Sequence, residues 1–260
     1  MSRPEPRAEV AAWSDAGRRH FLATAGSGLV AGVLAACGGD SKTPVKSTAR
    51  AAIVAERNDG TELNWKEARK RLEEGNARFV SGKTAHPDQS SARRKKLDSA
   101  GQKPYVCVLA CADSRVPPEV VFDQGLGDLF VVRSAGQVLD TAVLGTLQFG
   151  VEEFETPLLV VMGHTKCGAV KATVEAIQKK SPPSGTAVDA LVAAISPAVE
   201  DATALGAAEA DLVSVSVDNN IERIVQQLSD AKVLSLKAKS RKLKIVGALY
   251  DLATGEVTFS

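Results

Sequence analysis

Aromatic residues are scarce in this chain: Phe, Trp and Tyr together make up 4% of 260 residues. So few rings are poor material for the stacking platforms that bind single-stranded nucleic acid. An excess of either charge is also missing, with 32 Lys and Arg against 31 Asp and Glu. The resulting net charge of +1 gives no general electrostatic pull toward nucleic acid or an anionic bilayer. Four Cys are too few for a disulfide scaffold. The three His are His20, His86 and His164, so imidazole chemistry has few places to sit. The weakly apolar run 22–36 is about fifteen residues, short of the roughly 20 that a helix needs to span a bilayer. No internal repeat with the period of a solenoid is visible. What is present, 44% hydrophobic and 24% charged residues, is ordinary for a soluble domain with a real core. An enzyme or a small-ligand binder fits best.

Residues 1–37 read as a segment apart from the fold. Arg18-Arg19 precede His20, Phe21 and Leu22, and an uncharged stretch then ends in Leu34-Ala35-Ala36-Cys37-Gly38. The arginine pair with Phe-Leu close behind resembles the twin-arginine export signal. The Leu-Ala-Ala-Cys ending resembles a bacterial lipobox, which makes Cys37 the candidate for lipidation. The competing reading is a buried Ala/Gly-rich helix, but caps and helical periodicity are absent. Four basic and three acidic residues precede residue 38, so their removal leaves a neutral chain. Residues 38–62 are small and polar and read as a flexible tether, with the folded domain at 63–260. The expected location is the cell envelope, periplasmic or on the outer face of a membrane, with membrane contact through the lipid anchor only.

Continuous apolar runs at 105–110, 129–132 and 158–162 suit strands buried on both faces. A further strand is expected at 243–249, and 256–259 suits an edge strand after the Thr254-Gly255 turn. Helices are expected at 64–82, with Asn64 as N-cap and Glu67 three residues on, and at 139–154, 168–179 and 186–202. Residues 83–104 read as a polar loop whose basic cluster, Arg93 to Lys96, is a solvated face. The stretch 207–228 is ambiguous. Leu212 to Val217 alternates like a strand, while Ile221, Ile224, Val225 and Leu228 keep helical spacing, and helix is preferred. The alternation predicts one α/β domain with a mostly parallel central sheet flanked by helices and an edge strand near the C-terminus.

Two short segments follow predicted buried strands. They are Cys111-Ala112-Asp113-Ser114-Arg115 and His164-Thr165-Lys166-Cys167-Gly168. Ligands of an open parallel sheet bind beyond the carboxyl ends of its strands. If these two ends are neighbours, Cys111, His164 and Cys167 can meet, and two thiolates with one imidazole suit Zn²⁺. Three protein ligands leave one tetrahedral position open, as in catalytic zinc sites. Asp113 could compete for that position, or an Asp113–Arg115 pair could hold the carboxylate ionised beside it. Taken singly, each piece is bland: a Cys after a strand is commonly core, and Asp-x-Arg is commonly a loop ion pair. Cys107, inside the first strand, reads as core. His86 reads as a solvated loop residue rather than a proton shuttle.

Cys111-Ala-Asp-Ser-Arg-Val-Pro-Pro-Glu119 and Gly163-His-Thr-Lys-Cys-Gly-Ala-Val170 resemble the two signatures of the β-class carbonic anhydrases. The resemblance runs from Trp65 to the C-terminus and includes Asn76-Ala-Arg-Phe79, Gln124 to Arg133, and Gly247 to Asp251. It implies Cys111, His164 and Cys167 as ligands of one Zn²⁺, and Asp113 with Arg115 as the catalytic pair. It further implies Gln102 as a substrate-positioning residue and Gly168 as backbone beside the metal, and it supports helix for 207–228. The implied reaction is reversible hydration of CO₂ to bicarbonate and a proton by attack of zinc-bound hydroxide. The implied assembly is a homodimer or homotetramer. Rival readings are a hydrolase of the same fold acting on a CO₂ analogue such as CS₂, and a non-catalytic zinc- or bicarbonate-binding lipoprotein. Two departures stand near the expected pocket: Arg133-Ser-Ala-Gly-Gln137 replaces the family's Arg-Asn-Ala-Gly-Asn, and Phe149 replaces the Tyr of many plant relatives.

Overall fold

The computed structural model describes residues 63–240 and 242–260. Residues 1–62, with Arg18, Arg19 and the lipidation candidate Cys37, lie outside the described residues.

Helix α1 (Trp65–Val80) starts at a full capping box. The Asn64 side chain accepts from the backbone N–H of Lys66 and Glu67, and Glu67 accepts from the Asn64 N–H at 2.9 Å. The segment expected to be a plain polar loop contains helix α2 (Ser91–Ala100), capped by Ser90. It buries no residue, so its sequence carries no apolar periodicity to read. Arg94, Lys95 and Lys96 are solvated as expected. Arg93 instead turns inward, donating to the Leu126 carbonyl and pairing with Asp88 and Asp128.

The chain continues through β1 (Val106–Cys111), the single turn α3 (Pro118–Val121), β2 (Leu129–Ser134), a 3₁₀ turn (Ala135–Gln137) and α4 (Thr141–Glu153). It proceeds through β3 (Leu158–His164), α5 (Gly168–Gln178), α6 (Val188–Ala204), α7 (Leu212–Asp230) and α8 (Lys232–Lys239). It ends with β4 (Lys244–Tyr250) and β5 (Val257–Phe259). The strands form one sheet in the order β2-β1-β3-β4-β5, parallel except for β5 at the edge. The α/β expectation, with its C-terminal edge strand, is met.

β1 and β3 are central and buried along their whole length. Val106, Val108 and Ala110 face a core closed by α1 and Phe122, while Cys107, Leu109 and Cys111 face the core under α4, α5, α6 and α7. Full burial of each such aliphatic side chain contributes about 1.5–3 kcal/mol. Gly75 allows α1 to approach this closely, since a Cβ there would collide with the Phe122 carbonyl oxygen. The ambiguous segment is helical from Leu212 onward, because Leu212, Ser216, Val217, Asn220, Ile221, Ile224 and Leu228 fall on one buried face, while residues 207–211 precede the helix. Ser216 is tolerated there because its hydroxyl donates to the Leu212 carbonyl one turn back.

Candidate metal centre

Cys111 ends β1 and His164 ends β3, and these strands are hydrogen-bonded neighbours running the same way. Their carboxyl ends therefore open on the same side of the sheet. The chain after His164 turns sharply through Thr165 and Lys166, the latter in the left-handed region at φ 56°. That turn brings Cys167 to the N-cap position of α5. The ligand atoms of Cys111, His164 and Cys167 all lie within 4.8 Å of one another, and the three residues are buried. Parallel pairing and one tight turn thus unite groups 53 and 56 positions apart in sequence.

The electrostatics favour a cation. The His164 Nδ1 lies 3.0 Å from the Thr165 carbonyl oxygen, which can only accept, so Nδ1 donates there and Nε2 is the ring nitrogen left over. That Nε2 is buried and finds no hydrogen-bond partner among the described residues. A buried acceptor without a partner costs roughly 1–3 kcal/mol, a cost that a bound ion removes. Cys111 is pushed down, first by a hydrogen bond from the Cys167 thiol, opposed by burial, and then by the N–H groups of Asp113 and Gly136. Cys167 is pushed up in return, by its place beside Cys111 and by burial. Two sulfurs and an imidazole gathered this closely are a donor set that Zn²⁺ fits.

Asp113 lies at the rim. Arg115 grips its carboxylate with Nε to Oδ1 at 2.9 Å and Nη2 to Oδ2 at 2.7 Å, and adds its backbone N–H to Oδ1 at 2.9 Å. The Arg115 hydrogen bond is the main reason that the Asp113 carboxyl stays well below the usual carboxylate range. Its Oδ2 stands 4.0 Å from His164 Nε2, close enough to face anything held there.

The other candidates lie elsewhere. Gln102 is exposed on the loop before β1 and has no hydrogen bond to the cluster. Gly168 opens α5 next to the third ligand, with open space where a Cβ would be. His86 contacts Thr84 and gives its N–H to Asp123. Cys107 sits in the core beside the Thr156 hydroxyl, and burial pushes its thiol up to about 12. Phe149 packs with Phe130 and Phe154 on α4. Gln137 is buried with its Oε1 unpaired.

Sequence reasoning missed the residues that hold the cluster in place. Arg133 donates to the carbonyl oxygens of Cys111 and Asp113, at 2.9 and 2.5 Å. The Gly136 N–H donates to Cys111 Sγ at 3.3 Å, and Asn220 on α7 fixes the Gly136 carbonyl at 3.0 Å. Asn220 did leave a signal, as a polar residue inside an apolar helical stripe. Arg133 was visible only through the family resemblance, which put it near the pocket; its supporting role was not, because its targets are backbone atoms.

Comparison with known proteins gives a consistent result. A family profile described as carbonic anhydrase matches residues 106–257. A carbonic anhydrase of Mycolicibacterium smegmatis is 43% identical over 188 residues, covering 72% of this chain and 89% of that protein. Carbonic anhydrase 2 of Mycobacterium tuberculosis is 43% identical over 186 residues, covering 72% of this chain and 88% of that protein. Among solved structures, the β-carbonic anhydrase CcaA superposes with a TM-score of 0.57 at 24% identity, covering 74% of this chain and 94% of that one.

Proposed function

The chain belongs to the carbonic anhydrase family, with the fold of its β class, and from that premise we propose a zinc-dependent mechanism for the hydration of CO₂ to bicarbonate and a proton. The observation that carries this reading is the buried, unpartnered His164 Nε2 facing two thiol sulfurs beside an ionised Asp113. Cys111, His164 and Cys167 would hold one Zn²⁺. When bound, zinc lowers the pKa of a coordinated water to roughly 7 and so supplies hydroxide at neutral pH.

The remaining work falls to the chain. Asp113, kept ionised by Arg115, can only accept a hydrogen bond. A hydroxide beside it would keep its hydrogen and donate a hydrogen bond to the carboxylate, leaving an oxygen lone pair to face CO₂. Attack on CO₂ there would form one C–O bond and move one C=O pair onto oxygen, giving bicarbonate, and the proton released in making the hydroxide would leave to solvent. Arg115 spends its donors on Asp113 and so prevents protonation from switching that acceptor off. Gln102 is proposed to steady substrate from the exposed loop ahead of β1, and Gly168 to carry backbone past the third ligand. The proposed assembly is a homodimer or homotetramer. A stopped-flow assay of the full chain should show CO₂ hydration and no release of sulfide from CS₂. Sulfide release without hydration, or neither activity in zinc-loaded protein, would overturn the reading.

The proposed location is the cell envelope, reached by twin-arginine export in the folded state and held by lipid on Cys37. Folding around zinc before export protects Cys111 and Cys167 from oxidation outside the cytoplasm. Replacing Arg18-Arg19 with Lys-Lys should strand active, uncleaved protein inside the cell. Normal export of that variant would end the proposal, as would mass spectrometry showing an unmodified Cys37.

A further inference from the structure

We propose that Arg133 is a positioning residue whose forked guanidinium fixes the loop that carries both Cys111 and Asp113, an inference that rests on the catalytic reading above. Arg133 stands near the end of β2, paired in register with Ala110 of β1, one residue before Cys111. Strand pairing ends one step later, at Cys111 opposite Ser134, and the chain then leaves the sheet. Three hydrogen bonds from the end of β2 take over. Nε of Arg133 donates to the Cys111 carbonyl at 2.9 Å and Nη2 to the Asp113 carbonyl at 2.5 Å. Between them, the Ala112 N–H donates to the Ser134 carbonyl at 2.9 Å. Every residue from Cys111 to Asp113 is thereby tied to the same two residues of β2.

The use of an arginine is informative. Arg115 already neutralises the Asp113 carboxylate. Among the described residues Arg133 has no carboxylate partner, and its donors go to two backbone oxygens on either side of Ala112. A planar guanidinium can span two acceptors at a fixed separation, whereas a lysine ammonium is a single point on a flexible stem. The loop it holds is closed tightly on the site, because the Asp113 N–H donates to Cys111 Sγ at 3.4 Å and Val116 N–H closes a turn on the Asp113 carbonyl at 3.0 Å. A shift of this loop moves a metal ligand and the acceptor carboxylate together. Displacements near 1 Å at such groups can cost about 100-fold in rate. Loss of an outer-shell partner typically costs about 10- to 100-fold in metal affinity or activity.

The test uses full-length, zinc-loaded Arg133→Ala and Arg133→Lys beside wild type. Three quantities are followed: kcat and KM for CO₂ hydration, the rate of zinc release to a chelating dye, and thermal melting. Arg133→Ala should melt like wild type, lose about 100-fold in kcat with little change in KM, and release zinc about tenfold faster. Millimolar guanidinium ion should restore part of the lost kcat and slow zinc release. Arg133→Lys should behave like Arg133→Ala, since it keeps the charge and loses the fork. Wild-type kcat and zinc release in Arg133→Ala would overturn the proposal. So would full recovery in Arg133→Lys, or a large fall in melting temperature with no guanidinium rescue. If wild type itself fails to hydrate CO₂, the functional reading falls, while the zinc-release arm still decides whether Arg133 holds the Cys111 loop.

Discussion

Two aspartates close in sequence, Asp113 and Asp123, are each paired with an arginine, and the two pairs do opposite things. Asp123 is almost fully buried, and both oxygens of its carboxylate are hydrogen-bonded to neighbouring chain. Oδ2 accepts from Arg78 Nε at 2.6 Å and from the Ala85 N–H at 2.9 Å, and Oδ1 accepts from the His86 N–H at 2.9 Å. Burial opposes its charge, but the N–H of Ala85, the Arg78 side chain and the N–H of His86 prevail and keep its pKa below the ordinary value. Asp113 is held by its arginine just as firmly, yet it sits at an opening and faces an imidazole nitrogen with nothing bonded to it. The difference is leftover valence. A saturated pair welds the end of α1 and the following loop to the segment after α3. An unsaturated neighbourhood marks a place where something else binds.

That contrast breaks most sharply at the ligands. Cys167→Ser should lose zinc and reduce CO₂ hydration to background, because metal binding and local folding are coupled here. Metal analysis beside stopped-flow rates checks this, and an active zinc-free variant would contradict it. Asp113→Asn should retain about one zinc per chain, by the ligand count, and lose about 100-fold or more in turnover. The amide can donate where the reaction needs an acceptor only. The matching change in the saturated pair, Asp123→Ala, should leave zinc content and kcat untouched. It should lower stability by about 3 kcal/mol, because Arg78 and two backbone N–H groups lose their acceptor. Chemical denaturation measures that loss.

The saturated pair also carries a pH signature. The folded-state pKa of Asp123 is depressed, so its contribution is complete above the unfolded value near 4 and fades as pH falls through the folded value. The stability gap between wild type and Asp123→Ala should therefore be constant at neutral pH and shrink below about pH 4. A gap that widens on acidification would reverse the sign of this account. The smallest effect is expected at Cys107, whose thiol is pushed up to about 12 and stays protonated at any working pH. Native protein treated with iodoacetamide at pH 8 should show no label there by peptide mass spectrometry.

How much of this was legible follows from the same physics. The buried strands announce themselves as apolar runs, and α1 as a capping box, so the fold class could be read directly. The three ligands could be read because each ends or follows a strand at a known offset. Helix α2 could not, since Ser91–Ala100 buries nothing and leaves no pattern. The resemblance placed Arg133 and Gly136 near the pocket, but their supporting roles could not be read, because they act through carbonyls and an N–H that any residue supplies. Asp113 and Asp123 look alike in sequence. Only the saturation of their surroundings separates a site from a weld.

The central claim is that Cys111, His164 and Cys167 hold a zinc on which activity depends. The most direct measurement strips the full chain with a chelator under reducing conditions, then returns zinc stepwise while CO₂ hydration is followed. The account predicts that activity disappears with the metal and returns linearly, with a break at about one zinc per chain. Full activity in the stripped protein, or a break that stays at one zinc per chain when His164 is replaced by Ala, would contradict it.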